Sequence, residues 1–148
     1  MTQEDKELLI KDLSARLQYN VKILADIDKT FEDGGIISTL KAINLKKDWV
    51  ELQSVLTPFK FDEIKPYLRL MLSMTSEEEY EYHQIRKRNS DKFLDLMDCN
   101  DHLQQLLFPI IIGTESIDWL NAHFFDYRGL IERGLAIKVT NENNPYKE

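Results

Sequence analysis

Apolar and polar positions change period several times along this chain, and each change marks an element. Thr2-Gln3-Glu4-Asp5 reads as a capping box, with Thr2 placed to accept an amide hydrogen bond and Asp5 in the positive first turn of a helix. Leu9, Leu13, Ala15 and Leu17 supply most of an apolar helical face, widened by Leu8 and Ile10. Asn20 suits a left-handed cap that closes this helix. From Val21 to Ile27 the odd positions are apolar and the even ones mostly polar, the period of a strand. Asp33-Gly34-Gly35 predicts a turn, Ile36 to Asn44 a second strand, Lys46-Lys47-Asp48 another turn, and Trp49 to Leu56 a third strand. Strands joined by short connections pair antiparallel. The expectation is a three-stranded meander over the first helix.

Pro58 and Pro66 predict an irregular crossing over 57–74, with Lys65 pushed to extended geometry by the proline that follows it. Thr75-Ser76-Glu77-Glu78 is a second capping box, and Glu77, Glu78 and Glu79 all suit a helix N-terminus. No Gly or Pro stops this helix before about Met97. Its stripe is Tyr82, Ile85, Phe93, Leu96 and Met97, interrupted by Asn89. Asp98-Cys99-Asn100-Asp101 predicts a break, and His102–Leu107 a short helix ended by Pro109. Gly113-Thr114 begins another helix, capped by Thr114 and running through Ile117 and Leu120 to Phe124. Gly129 and Gly134 punctuate its end, Leu135 to Val139 predicts a last strand, and the polar residues from Asn141 onward predict a frayed tail. The fold class expected is α+β, one domain over 1–140 with a tail at 141–148: a small antiparallel meander, an N-terminal helix, a long central helix and a C-terminal helical segment.

Composition narrows the partners. A chain of 148 residues fits one domain and buries enough surface for a core without staples. Its 26 acids against 19 bases give a formal charge of -7, which repels nucleic acid and anionic lipid; neither is an expected partner. Cys99 is the sole cysteine, so no internal disulfide forms and no oxidising compartment is indicated. The first residues are polar and acidic, unlike a signal peptide. The most apolar run, Leu106 to Ile112, contains Pro109 and falls far short of the ~20 residues of a membrane span. The expected location is cytoplasmic.

The densest chemistry lies in Asp118-Trp119-Leu120-Asn121-Ala122-His123-Phe124-Phe125-Asp126-Tyr127-Arg128-Gly129-Leu130-Ile131, where aromatics, a His, an Arg and two Asp crowd together. Such side chains dominate either a core seam or a binding surface. The candidate binding residues are Trp119, His123, Asp126, Tyr127 and Arg128. Arg128 and Tyr127 could hold an anion, since a guanidinium pairs bidentately with carboxylate or phosphate. The plainer alternative is favoured: Asp126 caps the turn that starts at Tyr127, and Arg128 pairs with a nearby acid. A metal needs three or four ligands, and His83 and His102 are distant from His123; no metal or cofactor is expected. Glu77 to Glu81 holds four acids that the helix dipole explains, and Arg86-Lys87-Arg88 reads as a solvated helix face. Cys99 has acidic neighbours, which hold a thiol protonated. Neither a Gly-x-Ser-x-Gly motif nor a Gly-rich phosphate loop is present.

Several segments carry a resemblance. Leu9 to Leu17 followed by Val21-Lys22, then Ile64-Lys65-Pro66-Tyr67-Leu68-Arg69, Ser73-Met74-Thr75 leading into acids, Trp119-Leu120-Asn121-Ala122-His123, and Asp126-Tyr127-Arg128-Gly129-Leu130-Ile131 are similar, in order and spacing, to a family of small uncharacterised proteins from gut anaerobes and their phages and mobile elements. That family has no assigned activity. Its members often carry a second His where this chain has Phe124. The resemblance implies an accessory, protein-interaction role in a phage-like or mobile-element locus, without catalysis. The alternative is a small ligand-binding domain or enzyme that uses His123, Asp126, Tyr127 and Arg128. The expected partner is an unidentified protein or a second copy of this chain: an interaction module should present an exposed apolar patch or a subunit interface, and an enzyme should bring several of those four groups into one cleft.

Overall fold

A computed structural model of the chain describes residues 1–31, 34–97 and 113–147, and over 92–97 the backbone alone. Helix α1 spans Gln3–Arg16 and begins as expected, with the Thr2 hydroxyl accepting from the Asp5 amide at 3.1 Å. A short 3-10 turn, Leu17–Tyr19, follows, and Asn20 closes it at φ 59° in the left-handed region. The buried stripe of α1 is Leu9, Asp12, Leu13 and Arg16. Leu17, expected on that face, is exposed, and the stripe is completed by two charged residues instead.

The sheet has six strands: β1 Lys22–Ala25, β2 Ile36–Asn44, β3 Trp49–Leu52, β4 Phe59–Lys60, β5 Ile64–Leu68 and β6 Ile137–Lys138. Their order is β4-β3-β2-β1-β5-β6. The meander over the first three strands is there: Ile23 lies opposite Ser38 and Ile43 opposite Val50, both pairings antiparallel. Its turn glycine, Gly35, lies against β1; a Cβ there would come within 2.6 Å of Leu24 Cδ1 and 3.1 Å of the Ala25 carbonyl oxygen.

Residues 57–74 are not an irregular crossing. They supply β4 and β5, and β5 sits inside the sheet between β1 and β6. Pro66 is tolerated there for a geometric reason. The Asp26 amide donates to the Glu63 carbonyl at 2.8 Å, and ladder bonds in an antiparallel pair fall on alternate residue pairs. Pro66, opposite Ile23, therefore turns its nitrogen away from β1. On that far side β6 pairs, in parallel, only with Tyr67 and Leu68, so no ladder bond is lost.

The main core lies between α1 and one sheet face and includes Leu9, Leu13, Ile23, Leu40, Val50, Leu52, Ile64 and Leu68. A fully buried Leu or Ile contributes about 2 kcal/mol. A second, smaller core lies beyond the end of β5. Helix α2, Ser76–Met97, places Ile85 against Trp119, Leu120 and Phe125. Asn89, the interruption in the stripe of α2, is buried, with its amide reaching Ser116 at 3.4 Å. Trp119 and Leu120 belong to helix α3, described over 113–122, in which Thr114 is already helical rather than an N-cap outside it. The expected break at 98–101 with Cys99, and the short helix at His102–Leu107, lie outside the described residues.

Helix α3 ends in paired carbonyl-capping bonds: the Phe125 amide reaches Leu120 O at 2.9 Å and the Phe124 amide reaches Asn121 O at 3.1 Å. This is the Schellman arrangement, whose left-handed position usually holds Gly. Here it holds Phe124 at φ 61°. The chain then meets the end of β5, with the Arg69 amide on Phe124 O and the Asp126 amide on Arg69 O, each at 2.8 Å. A second closure of the same kind ends the following turns, with Gly134 at φ 71°. The frayed tail expected beyond Asn141 does not hold at Tyr146. Its ring stacks on Phe124 at 3.9 Å, and its hydroxyl donates to the Tyr67 carbonyl at 2.8 Å and accepts from the Lys22 amide at 3.1 Å.

Candidate functional site

The two sides of the 118–131 segment do different things. On the inner side, Asp126 is buried and its two carboxylate oxygens accept from the Leu130 amide at 3.0 Å and the Ile131 amide at 2.8 Å. It ties the turn that follows, as the plainer reading has it. Residues 127–131 are bends and turns rather than helix, and Tyr127 and Leu130 face different cores. Tyr127 packs with the second core and donates its hydroxyl to Asn121 at 3.0 Å, while Leu130 enters the main core.

Arg128 points toward Asp12, with Nε 3.7 Å from Oδ1, and covers the Tyr127 ring at 4.7 Å. Asp12 is already paired. Arg16 donates to it from Nε at 2.8 Å and from Nη2 at 3.0 Å, and Nη2 also reaches the Phe125 carbonyl at 2.7 Å. Asp12 and Arg16 are both 0% exposed. Two guanidiniums thus share one carboxylate beneath Tyr127, and this knot fastens α1 to the end of α3. Sequence reasoning missed Asp12 and Arg16. The signal was there: relative to Leu9 they fall at i+3 and i+7, on the buried face of α1.

On the outer side lies a cleft of about 710 Å³. Arg69, Ser73 and Thr75 form one wall, the α3 end with Ala122, His123 and Phe124 another, and Lys138–Asn141, Asn144, Tyr146 and Lys147 the rest. Of the five candidates, only His123 lines it; Trp119 lies behind, stacked on the His123 ring at 4.0 Å. The His123 Nδ1 is 2.9 Å from the Trp119 carbonyl oxygen. A carbonyl only accepts, so Nδ1 carries the proton, and Nε2 is the nitrogen free for another partner.

Arg69 is the rigid edge of the cleft. It grips Glu78 with two hydrogen bonds of 2.7 and 2.8 Å and lies over the Phe125 ring at 4.4 Å. The Arg69 guanidinium holds the Glu78 carboxyl well below its ordinary range, at about 2, with the Thr75 amide helping against the cost of burial. Glu78 and Thr75 also complete the reciprocal capping box of α2. The acids at 77–79 therefore start a helix, and one of them, Glu78, anchors the cleft wall. Burial pushes the Tyr146 hydroxyl above the usual phenol range. Arg88 pairs with Glu115 at 2.9 Å, and Arg86 sits 6.0 Å from the Tyr82 ring. Among the described residues no three His, Cys, Asp or Glu side chains gather as metal ligands, and no helix is long and apolar enough to cross a membrane. No family model, curated protein or solved structure matches this chain.

Proposed function

We propose that this protein is a non-enzymatic accessory protein that works by binding, that the cleft beside His123 is its binding site, and that its setting is the phage-like or mobile-element locus its resemblance implies. One observation carries the reading. Asp126, Tyr127 and Arg128 are committed to the turn and to the buried Asp12–Arg16 pair, so of the charged and hydroxyl-bearing candidates His123 alone meets the cleft. Catalysis by acid–base or nucleophilic chemistry asks for converging groups; a binding site asks for a concave surface with a few polar anchors. A cleft of about 710 Å³ is in the size range of small-molecule sites. The position where the resemblance places a second His, Phe124, lines the same cleft.

The test is a residue-resolved NMR screen of the full chain against a chemically mixed fragment set of neutral, cationic and anionic members. We expect amide shifts that cluster on 69–75, 122–124 and 138–147, and no turnover of any bound fragment. Hits scattered over the surface, hits confined elsewhere, or chemical conversion of a fragment would overturn the reading.

A further inference from the structure

The cleft has a charge that the molecule as a whole does not. The chain carries -7, yet among the described residues no carboxylate is on a side chain that lines the cleft. Lys138 and Lys147 line it, both exposed, and neither forms an ion pair among the described residues. Arg69 contributes no spare charge, because Glu78 neutralises it; its part is to hold the wall. Beside these groups stands the Thr75 hydroxyl, which accepts from the Glu78 amide and keeps its proton to donate to an oxyanion, whereas the Ser73 hydroxyl donates to the Leu70 carbonyl. The floor is aromatic: Phe124 and Tyr146 stack at 3.9 Å and both face the cleft. In an acidic protein, unpaired lysines collected in one concave place beside ring surface form a selective site for negative charge, because the rest of the surface repels it.

We infer that the cleft takes a small organic anion, a phosphate or carboxylate carried on a ring-sized apolar body, with Lys138 and Lys147 meeting the charge and the Phe124–Tyr146 pair meeting the ring. This rests on the cleft being the binding site, as proposed above. Three probes of matched shape separate the possibilities: phenyl phosphate, benzoate and benzamide, each titrated into the full chain at constant ionic strength and followed by NMR. The expected result is saturable shifts at 122–124 and 138–147 for at least one anion, with benzamide at least tenfold weaker. Phenyl phosphate ahead of benzoate assigns phosphate; the reverse order assigns carboxylate. A Lys138→Glu/Lys147→Glu double variant should weaken the anion at least tenfold, and Lys138→Arg/Lys147→Arg should restore it. Both positions are exposed, so these variants keep the fold. Benzamide binding as well as the anions, with both unaffected by the lysine variants, overturns the inference while the binding reading stands. Silence from all three probes overturns the inference too, and the mixed fragment screen then decides the binding reading separately.

Discussion

Two acidic side chains do most to fix the segment around the cleft, and each makes a sharp expectation. Asp126 accepts two amides, at 3.0 and 2.8 Å, from a buried position. An ordinary helix cap is worth about 1 kcal/mol. Here a truncation would leave two donors without partners, each costing about 1–3 kcal/mol where water cannot reach. We expect Asp126→Ala to lower stability by about 2–3 kcal/mol in urea unfolding, and Asp126→Asn by less. Asp12 is the only carboxylate in contact with Arg16 and Arg128 among the described residues. Asp12→Ala would strand a fully buried guanidinium, and breaking such a pair costs about 3–5 kcal/mol. A double variant, Asp12→Leu with Arg16→Met, should lose clearly less than the sum of the two single variants. Additive losses in the double-mutant cycle would show that the pair is not coupled. These polar residues are also where sequence reading fell short. The capping acids Asp5, Glu78 and Asp126 were legible because their partners are near neighbours in the chain. Asp12 and Arg16 were not, because their burial depends on Phe125, whose carbonyl lies 109 positions beyond Arg16.

At the level of elements, local signals succeeded and long-range pairings were hidden. Both capping boxes, the extents of α1 and α2, and the β1–β2–β3 meander follow from period and turn chemistry within a few residues. β5 was masked by Pro66, since a proline argues against an inner strand unless the far-side ladder is absent at that residue, which only the position of β6 reveals. The cleft was half legible: His123 could be singled out, but Lys138 and Lys147 come to it through the parallel pairing of β6 and the docking of Tyr146. That docking is testable. Tyr146→Phe removes the hydroxyl that bonds Tyr67 O and the Lys22 amide and should cost about 1–2 kcal/mol. Tyr146→Ala also removes the stack on Phe124 and should cost about 3 kcal/mol. Hydrogen exchange should accelerate at 138–147 in Tyr146→Ala, and fragment binding at the cleft should fall with it. Unchanged exchange there would mean that the segment is held by something other than this ring.

The whole molecule joins a sheet-and-helix core to a smaller helical one, and the Arg69–Glu78 contact bridges them: Arg69 follows β5 directly, and Glu78 sits in the first turn of α2. This makes the union sensitive to acid in a defined window. The Glu78 carboxyl is held at about 2 in the folded state, below its ordinary 4.5, chiefly by hydrogen bonds from Arg69. A carboxyl depressed on folding stabilises the fold fully above its unfolded value, and that stabilisation is lost as pH falls toward the folded value. For Glu78 the loss runs from about pH 4.5 down to about pH 2 and, screened by solvent at this part-exposed pair, amounts to about 1–2 kcal/mol. Asp5, Asp26 and Asp62 are depressed as well, by the Thr2 hydroxyl, the Phe31 amide and the Lys29 ammonium respectively, so the wild-type acid curve sums several groups. Glu78→Gln isolates the one of interest. It should be less stable than wild type at pH 7, and the gap should close as pH drops from 4.5 to 2, because protonated Glu78 is nearly the same group as the amide. Chemical denaturation at pH 7, 5, 4, 3 and 2 gives both curves. A gap that stays constant across this range would mean that Arg69 does not favour the charged form of Glu78, and the bridge between the two cores would then rest on the backbone bonds of Arg69 with Phe124 and Asp126, the Arg16 bond to the Phe125 carbonyl and the packing of Phe125 under Arg69.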